Sequence, residues 1–102
     1  MCGIAGIINT KAYRRKTIHG WLNEMNNLQA HRGPDGQGVW VHDRGEAGFA
    51  HRRLSIIDLT SAAAQPMSSE TGSVITYNGE IYNYLELRQE LGEEKFRTTS
   101  DT

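Results

Sequence analysis

The sequence contains a single cysteine, Cys2, so an internal disulfide is excluded and a reducing compartment is favoured. It has no apolar run near the roughly 20 residues that a membrane-spanning helix needs. It also lacks the basic-then-apolar start of a secretory signal. Eleven basic and twelve acidic residues are interspersed and give a net charge of −1, which excludes a basic footprint for nucleic acid or an anionic membrane. We therefore expect a cytoplasmic protein that binds neither.

The spacing of residues in the sequence does not support a metal site or a nucleotide site. The four histidines do not have the paired spacing of a zinc site, and no second cysteine accompanies Cys2. No glycine loop of the Walker type and no dinucleotide fingerprint is present. We expect no metal and no cofactor within these residues, so any chemistry must come from ordinary side chains.

The order of predicted elements indicates one small α+β domain. The chain of 102 residues predicts strands joined mostly by hairpins, with two helices between them. This order favours antiparallel sheets with helices outside over a doubly wound parallel sheet. The predicted strands cover 3–8, 39–41, 49–57 and 74–77, with a final strand from Phe96 that leads into a polar turn, and the predicted loops cover 29–36 and 60–72.

Local signals refine these predictions. The run 3–8 is almost continuously apolar, which predicts a strand buried on both faces. A hairpin turn is predicted at 43–45. The second helix is predicted between Asn83, with Glu86 completing a capping box, and the stop at Gly92. The first helix is predicted over 16–28, with an apolar face of Ile18, Trp21, Leu22, Met25 and Leu28, and the second helix has a predicted apolar face of Tyr84, Leu87 and Leu91.

Cys2 directly follows Met1, and removal of Met1 would leave a residue with both a thiol and a free α-amine. A nucleophile and a weak base on one residue are the minimum for a self-contained N-terminal nucleophile. The alternative is that Cys2 is merely a small hydrophobic residue in a strand. Its position alone does not decide between the two.

Asn78 and Gly79 lie where a predicted strand meets a predicted helix. Asn-Gly is the commonest signal for a two-residue hairpin turn. A strand-to-helix bend would instead expose an amide side chain and a glycine N–H, the two donors that an oxyanion needs during acyl transfer. On these residues alone the two interpretations are equally good.

Two adjacent arginines lie in the predicted strand 49–57, where alternation points Arg52 and Arg53 to opposite faces. One of them must face the interior or a pocket, where a carboxylate suits a guanidinium best. That carboxylate belongs either to a ligand or to a structural ion pair with one of the twelve acidic residues. Asp101, taken alone, is typical of a turn or cap, and the segment 31–36 of a rigid surface loop.

Six segments together resemble the glutamine amidotransferase domain of glutamine-hydrolysing asparagine synthetases. They occur in the order of the family and cover nearly the whole chain: 1–6, 31–36, 51–58, 65–67, 77–83 and 100–101. The Pro34-Asp35 pair resembles the asparagine synthetases rather than the glucosamine-phosphate or purine-pathway amidotransferases. The resemblance implies a four-layer αββα N-terminal nucleophile sandwich, C-terminally truncated, with 1–102 as the N-terminal part of a class II glutamine amidotransferase domain. The chain's end, without a closing element, is likewise expected of the front part of a longer protein.

The resemblance also implies roles for single residues in the hydrolysis of L-glutamine. Cys2, with its own amine as proton shuttle, would attack the side-chain amide, and Asn78 and Gly79 would hold the oxyanion. Arg53 would bind the α-carboxylate of the substrate, and Glu80 and Asp101 its α-ammonium group. The backbone from Arg53 onward would line the pocket through Leu54, Ser55, Ile56 and Ile57.

The family further implies partners and leaves alternatives. The ammonia would pass to a synthetase domain of the same chain, absent here, which uses ATP and Mg²⁺ to amidate aspartate, and the longer protein could form a homodimer. A related synthetase with another ammonia acceptor is one alternative, and a folded but inactive fragment is another. A redox-sensing thiol is a third, and it predicts reaction with peroxide that does not depend on Asn78 or Arg53.

Overall fold

A computed structural model describes the whole chain, Met1–Thr102. The strands are β1 (Gly3–Ile8), β2 (Gly36–Val41), β3 (Ala47–Arg53), β4 (Met67–Ser68) and β5 (Val74–Ile75), and the helices are α1 (Arg15–Leu28) and α2 (Tyr84–Leu91). One antiparallel sheet has the order β1-β3-β2, and β4 and β5 form a second antiparallel pair. The predicted α+β class with antiparallel sheets is confirmed.

The core lies between α1 and one face of the three-stranded sheet. Ile18 and Leu22, four residues apart on α1, are fully buried against Ala50 of β3 and Val41 of β2. The predicted helical face is only partly right, because Leu28 is 81% exposed. The next position in the buried row is the polar Asn26, which donates to the Gly38 carbonyl at 3.2 Å.

The prediction that β1 is buried on both faces is wrong. Alternate residues of a strand point to opposite faces, and α1 covers only one of them. Ala5 and Ile7 pack against the core, whereas Ile4 is exposed and Ile8 is 82% exposed.

β3 ends at Arg53, four residues before the predicted end. Its partners begin at this level, since Gly3 of β1 pairs with Arg52 and Gly36 of β2 pairs with Arg53. Beyond Arg53, neither β1 nor β2 continues as a partner with which β3 could form further strand hydrogen bonds. The predicted hairpin between β2 and β3 is confirmed, with Gly45 at φ +71°.

The remaining connections depart further from prediction. The segment 60–72 contains β4 as well as loop, and β5 covers only Val74–Ile75. The strand predicted from Phe96 is absent, since residues 97–100 form bends. Three short 3₁₀ turns complete the chain at Ala30–Arg32, Ser61–Ala63 and Glu93–Lys95.

α2 stops at Gly92 as predicted, with φ +101° at that glycine. The capping box is wrong, because Asn83 has φ −99° and ψ 26° and its side chain makes no cap hydrogen bond. The predicted apolar face is also wrong, since Leu87 and Leu91 are exposed. The buried residue is Arg88, whose guanidinium lies 4.5 Å from the centroid of the Phe96 ring.

Candidate active site

A cavity of about 550 Å³ opens where the start of β1, the end of β3, the segment after β5 and the last residues of the chain meet. Cys2 lies on its wall. The other lining residues are Met1, Arg53, Leu54, Ile56, Ile57, Asp58, Gln65, Tyr77, Asn78, Gly79, Glu80, Tyr82, Ser100, Asp101 and Thr102.

The register of β1 against β3 places the sulfur of Cys2. Gly3 pairs with Arg52, so the residue before Gly3 runs beside those after Arg53. The Cys2 Sγ accepts the N–H of Leu54 at 3.3 Å and lies 3.7 Å from the Leu54 carbonyl oxygen. Gly3 is closely covered, because a Cβ there would lie 2.8 Å from Oε1 of Gln29. The half-buried thiol is thus held by backbone at the mouth of the cavity.

Asn78 and Gly79 do not form a two-residue hairpin. No strand follows them, and α2 begins at Tyr84, so the chain makes the strand-to-helix bend. A Cβ on Gly79 would lie 2.7 Å from Cζ of Tyr77, so a larger residue there would require the Tyr77 ring to move. Both residues of this bend face the cavity that Cys2 lines.

Arg53 is a cation on the cavity wall without an acidic partner. Its Nη1 donates to the Thr60 carbonyl oxygen at 2.7 Å, and no carboxylate lies within 4.0 Å of the guanidinium. The alternative of a structural ion pair is therefore not realised. Arg52 lines no part of this cavity and binds the Gly33 carbonyl oxygen and the Gln37 side chain at 3.1 and 2.7 Å.

Carboxylates supply the opposite charge on the same wall. Glu80 is exposed there, and Asp101 accepts the N–H of Ile81 at 2.8 Å through Oδ2. Besides Asp58 and Gln65, the cavity therefore combines a guanidinium without an acidic partner, the carboxylates of Glu80 and Asp101, a thiol and the amide side chain of Asn78. This set is complementary to a zwitterion that also carries a polar tail.

The buried Asp58 ties two loops of the wall together. Its Oδ1 accepts the hydroxyl and the N–H of Thr60 at 2.6 and 2.8 Å, and its Oδ2 accepts the N–H of Thr99 at 3.0 Å. The hydroxyl of Thr60, followed by the N–H groups of Thr99 and Thr60, holds the pKa of Asp58 well below its ordinary value. The charged carboxylate thus anchors the segment that leads to Asp101.

The segment 31–36 braces the end of β3. Gly33 packs so closely on Arg52 that a Cβ there would collide with its carbonyl group. The carboxylate of Asp35 accepts the N–H of Ser55 at 2.8 Å, and its own N–H donates to the Arg53 carbonyl oxygen at 3.0 Å. The polar loop that the sequence indicated is therefore what fixes the backbone around Arg53.

Of the ten residues predicted for the site, nine line the cavity. Ser55 does not, because its N–H is bound by Asp35 and it faces a neighbouring cavity of about 370 Å³. Sequence reasoning assigned no role to Asp58, Gln65 and Tyr77, although all three lie within the segments that carried the resemblance. The chemical roles of the nine remain predictions.

His51 lies beneath the site on β3 and is fully buried. Its Nδ1 is 2.9 Å from the Thr76 hydroxyl, and its Nε2 has no partner. Burial, and to a lesser degree the charge of Arg53, lowers the pKa of His51 to about 4. The ring is therefore neutral near pH 7.

Metal-type ligands are not clustered: no three histidine, cysteine, aspartate or glutamate side chains come together. Neither α1 nor α2 is long and apolar enough to cross a bilayer.

Comparison with known proteins decides the family. A model of the glutamine amidotransferase domain matches residues 1–102. This chain belongs to that family. The resemblance noted from the sequence is thus confirmed.

Relatives of the chain include asparagine synthetases. It is 47% identical over 104 residues to asparagine synthetase [glutamine-hydrolyzing] 2 of Bacillus subtilis, a match covering 99% of this chain and 13% of the relative. It is 40% identical over 107 residues to asparagine synthetase B [glutamine-hydrolyzing] of Escherichia coli, covering 99% and 18%. Amidase chry2 of Gibberella zeae is 38% identical over 111 residues, covering 99% and 16%. The chain spans less than a fifth of the length of these relatives.

Proposed function

We propose that this chain carries the glutaminase site of a glutamine-hydrolysing asparagine synthetase and converts L-glutamine to L-glutamate and ammonia. One observation carries the proposal: the sulfur of Cys2, the bend at Asn78-Gly79 and the unpaired Arg53 share one cavity. Family membership and the names of the relatives support it.

The charges of the cavity suit glutamine as substrate. Arg53 binds the α-carboxylate through guanidinium N–H groups that no side-chain carboxylate occupies. Asp101 and Glu80 receive the α-ammonium group. The side-chain amide then extends toward Cys2, where Leu54, Ile56 and Ile57 line the passage.

Hydrolysis proceeds through a thioester on Cys2. After removal of Met1, the free α-amine takes the thiol proton, and the sulfur attacks the amide carbon. The Asn78 side chain and the Gly79 N–H stabilise the oxyanion of the tetrahedral intermediate. The C–N bond breaks, and the departing nitrogen takes a proton from the amine and leaves as ammonia. Water then attacks the thioester carbon, the C–S bond breaks, the sulfur takes a proton from the attacking water to regenerate the Cys2 thiol, and glutamate is released.

We propose that residues 1–102 are the N-terminal part of a class II glutamine amidotransferase domain with four αββα layers. Two findings support this: α1 covers only one face of the sheet, and the relatives are much longer than the chain. The ammonia then serves ATP- and Mg²⁺-dependent amidation of aspartate in a synthetase domain. The homodimer and the cytoplasmic location remain predictions.

Substitution of the nucleophile tests the proposal. With Met1 removed, as intact mass reports, we expect Cys2→Ala to abolish glutamate release from glutamine. Asn78→Ala should lower kcat by about 10²–10³-fold, since one oxyanion donor is lost. The matched control Asn23→Ala removes an exposed amide of α1 that hydrogen-bonds only His19.

The same variants separate the alternatives. A redox-sensing thiol would react with peroxide equally in the wild type and in Asn78→Ala. Glutamate release that persists in Cys2→Ala would overturn the proposal.

The ammonia acceptor is a separate question, because a relative at 38% identity bears the name amidase. A related enzyme with a different acceptor would still hydrolyse glutamine through Cys2. Asparagine formed from aspartate, ATP and glutamine by the intact protein identifies the synthetase. Glutamine hydrolysis without asparagine formation would favour the other acceptor.

A further inference from the structure

Gln65 connects two segments of the cavity wall, in addition to the direct hydrogen bond between Asp101 and the N–H of Ile81. Its Oε1 accepts the N–H of Tyr77 at 2.6 Å, and its Nε2 donates to the Thr102 hydroxyl at 3.2 Å. Tyr77 immediately precedes Asn78, and Thr102 immediately follows Asp101. The side chain is only 9% exposed and lines the same cavity as Cys2.

The strand register explains why a side chain makes this connection. Met67 of β4 pairs with Ile75 of β5, so continuing the pairing by two residues places Gln65 opposite Tyr77. The Gln65 carbonyl oxygen lies against Gly38, where a Cβ would collide with it. The N–H of Tyr77 is bound instead by the side-chain amide oxygen of Gln65. The amide also supplies an N–H donor, which the Thr102 hydroxyl accepts.

We propose that Gln65 is a positioning residue that, together with the hydrogen bond between Asp101 and Ile81, sets the separation between the oxyanion donors and Asp101, and so selects glutamine over asparagine. This inference rests on the proposed function of the cavity. The amide carbon and the α-ammonium group of a substrate must reach both segments at once, and asparagine is one methylene shorter. One methylene in a hydrophobic pocket typically changes discrimination by about 10–200-fold. The Gln65 side chain contributes to holding the two segments at the separation that glutamine spans.

Ligand selectivity tests the inference without requiring turnover. The experiment uses the intact protein with the substitution Cys2→Ala, so that glutamine is bound but not hydrolysed. Calorimetry measures the dissociation constant of L-glutamine and, by competition, that of L-asparagine. Gln65→Met keeps the length of the side chain and loses both hydrogen bonds. We expect it to raise the Kd of glutamine by about tenfold, since two neutral hydrogen bonds are lost. The Kd of asparagine should stay near its original value, so the selectivity ratio falls.

Three further variants make the result specific. Thr102→Val removes one of the two hydrogen bonds and should give a smaller fall in the same ratio. Gln65→Glu keeps an acceptor for Tyr77, and the Thr102 hydroxyl can rotate to donate to it, so the ratio should recover. Gln37→Met, outside this cavity, should leave the ratio unchanged.

The outcomes separate this inference from the proposed function. If Gln65→Met and Thr102→Val weaken both ligands equally, or neither, Gln65 has no role in selectivity and the inference fails. If Gln65→Met does not fold, the ratio in Thr102→Val decides. If protein with Gln65 intact neither binds nor hydrolyses glutamine, the proposed function itself fails.

Discussion

Arg53 is a half-buried cation for which the protein supplies no carboxylate partner. A half-buried guanidinium usually pairs with a carboxylate. Here only the Thr60 carbonyl oxygen binds Nη1, and the Asp58 carboxylate on the same cavity accepts hydrogen bonds from Thr60 and Thr99 instead. The remaining donors of Arg53 are free for a ligand with a planar anion.

Removal of this cation tests the substrate's orientation. Arg53→Met keeps the apolar stem and loses the charge, so we expect the KM for glutamine to rise by about 10–100-fold, the cost of charged hydrogen bonds. The kcat should fall less, because Cys2 and the bend at Asn78 remain. Steady-state glutaminase kinetics measure both constants.

Arg52→Met is the matched control, because its guanidinium binds Gly33 and Gln37 away from the cavity. We expect thermal stability to fall in this variant while the KM stays close to that of the wild type. A KM that rises equally in both variants would contradict the assignment of Arg53.

At the scale of elements, the loop 31–36 supports the site although none of its residues lines the cavity. It lies against the end of β3 through Gly33, and Asp35 exchanges hydrogen bonds with the backbone of Arg53 and Ser55. These contacts replace the ladder that β1 and β2 no longer provide beyond Arg53. The loop thereby fixes the backbone at Arg53 and Leu54, and the N–H of Leu54 contacts the sulfur of Cys2.

Gly33→Ala should disturb this brace. The new Cβ would overlap the carbonyl group of Arg52, which is backbone and cannot turn aside. We expect a loss of about 1–3 kcal/mol in the free energy of unfolding, as for overpacking in a core, and reduced glutaminase activity. Urea denaturation and kinetics measure the two effects.

Gly36→Ala provides the comparison at the end of the same segment, where β2 begins. A Cβ there would meet the nearest atom, Cβ of Arg53, at an ordinary 3.6 Å. This variant should remain near wild type in both stability and activity. Equal losses from Gly33→Ala and Gly36→Ala would show that the contact with Arg52 is unimportant.

Elements with local causes could be predicted from the sequence. The bounds of β1 were correct because a short apolar run marks a strand, although its burial was not. Those of α1 were correct to within one residue because helical apolar spacing marks the helix. The end of β3 could not be predicted, since it depends on where β1 and β2 begin. The apolar face of α2 was wrong because Arg88 packs on Phe96, a contact between residues outside the helical pattern.

The residues of the candidate site also differ in whether the sequence alone could indicate them. Cys2 could be singled out because its place after Met1 is visible in the sequence, and Asn78 because a bend follows a strand. Gln65 could not, because its partners Tyr77 and Thr102 lie 12 and 37 residues away. Nothing in local composition indicates such a contact.

The molecule as a whole is flat and its apolar core is thin. Its radius of gyration is 14.5 Å, against about 13 Å for a compact domain of this length, and its shortest dimension is 19 Å. The fully buried apolar residues lie mainly between α1 and one sheet face, while the other face leaves Ile8 in solvent. With so small a core, one buried titratable side chain has a large share in overall stability.

His51 is that side chain, and it makes stability depend on pH. Its pKa is about 4 in the folded protein and 6.5 in an unfolded chain. Between these values the unfolded state binds a proton that the folded state does not, so stability falls as the pH drops from 6.5 to 4. The slope should reach up to about 1.4 kcal/mol per pH unit. Asp58 adds a loss only below 3.8, because its pKa is depressed from that value.

Urea denaturation of wild type and His51→Gln across pH 4–7.5 isolates the histidine. We expect the difference between the two stability curves to shrink toward acid pH and level off below the pKa of about 4 of His51, because glutamine does not titrate. His31→Gln removes an exposed ring and should retain the slope of the wild type. Parallel curves for wild type and His51→Gln would mean that the folded protein protonates His51 as readily as the unfolded chain. The description of His51 as a buried neutral ring that contacts Thr76 would then be wrong.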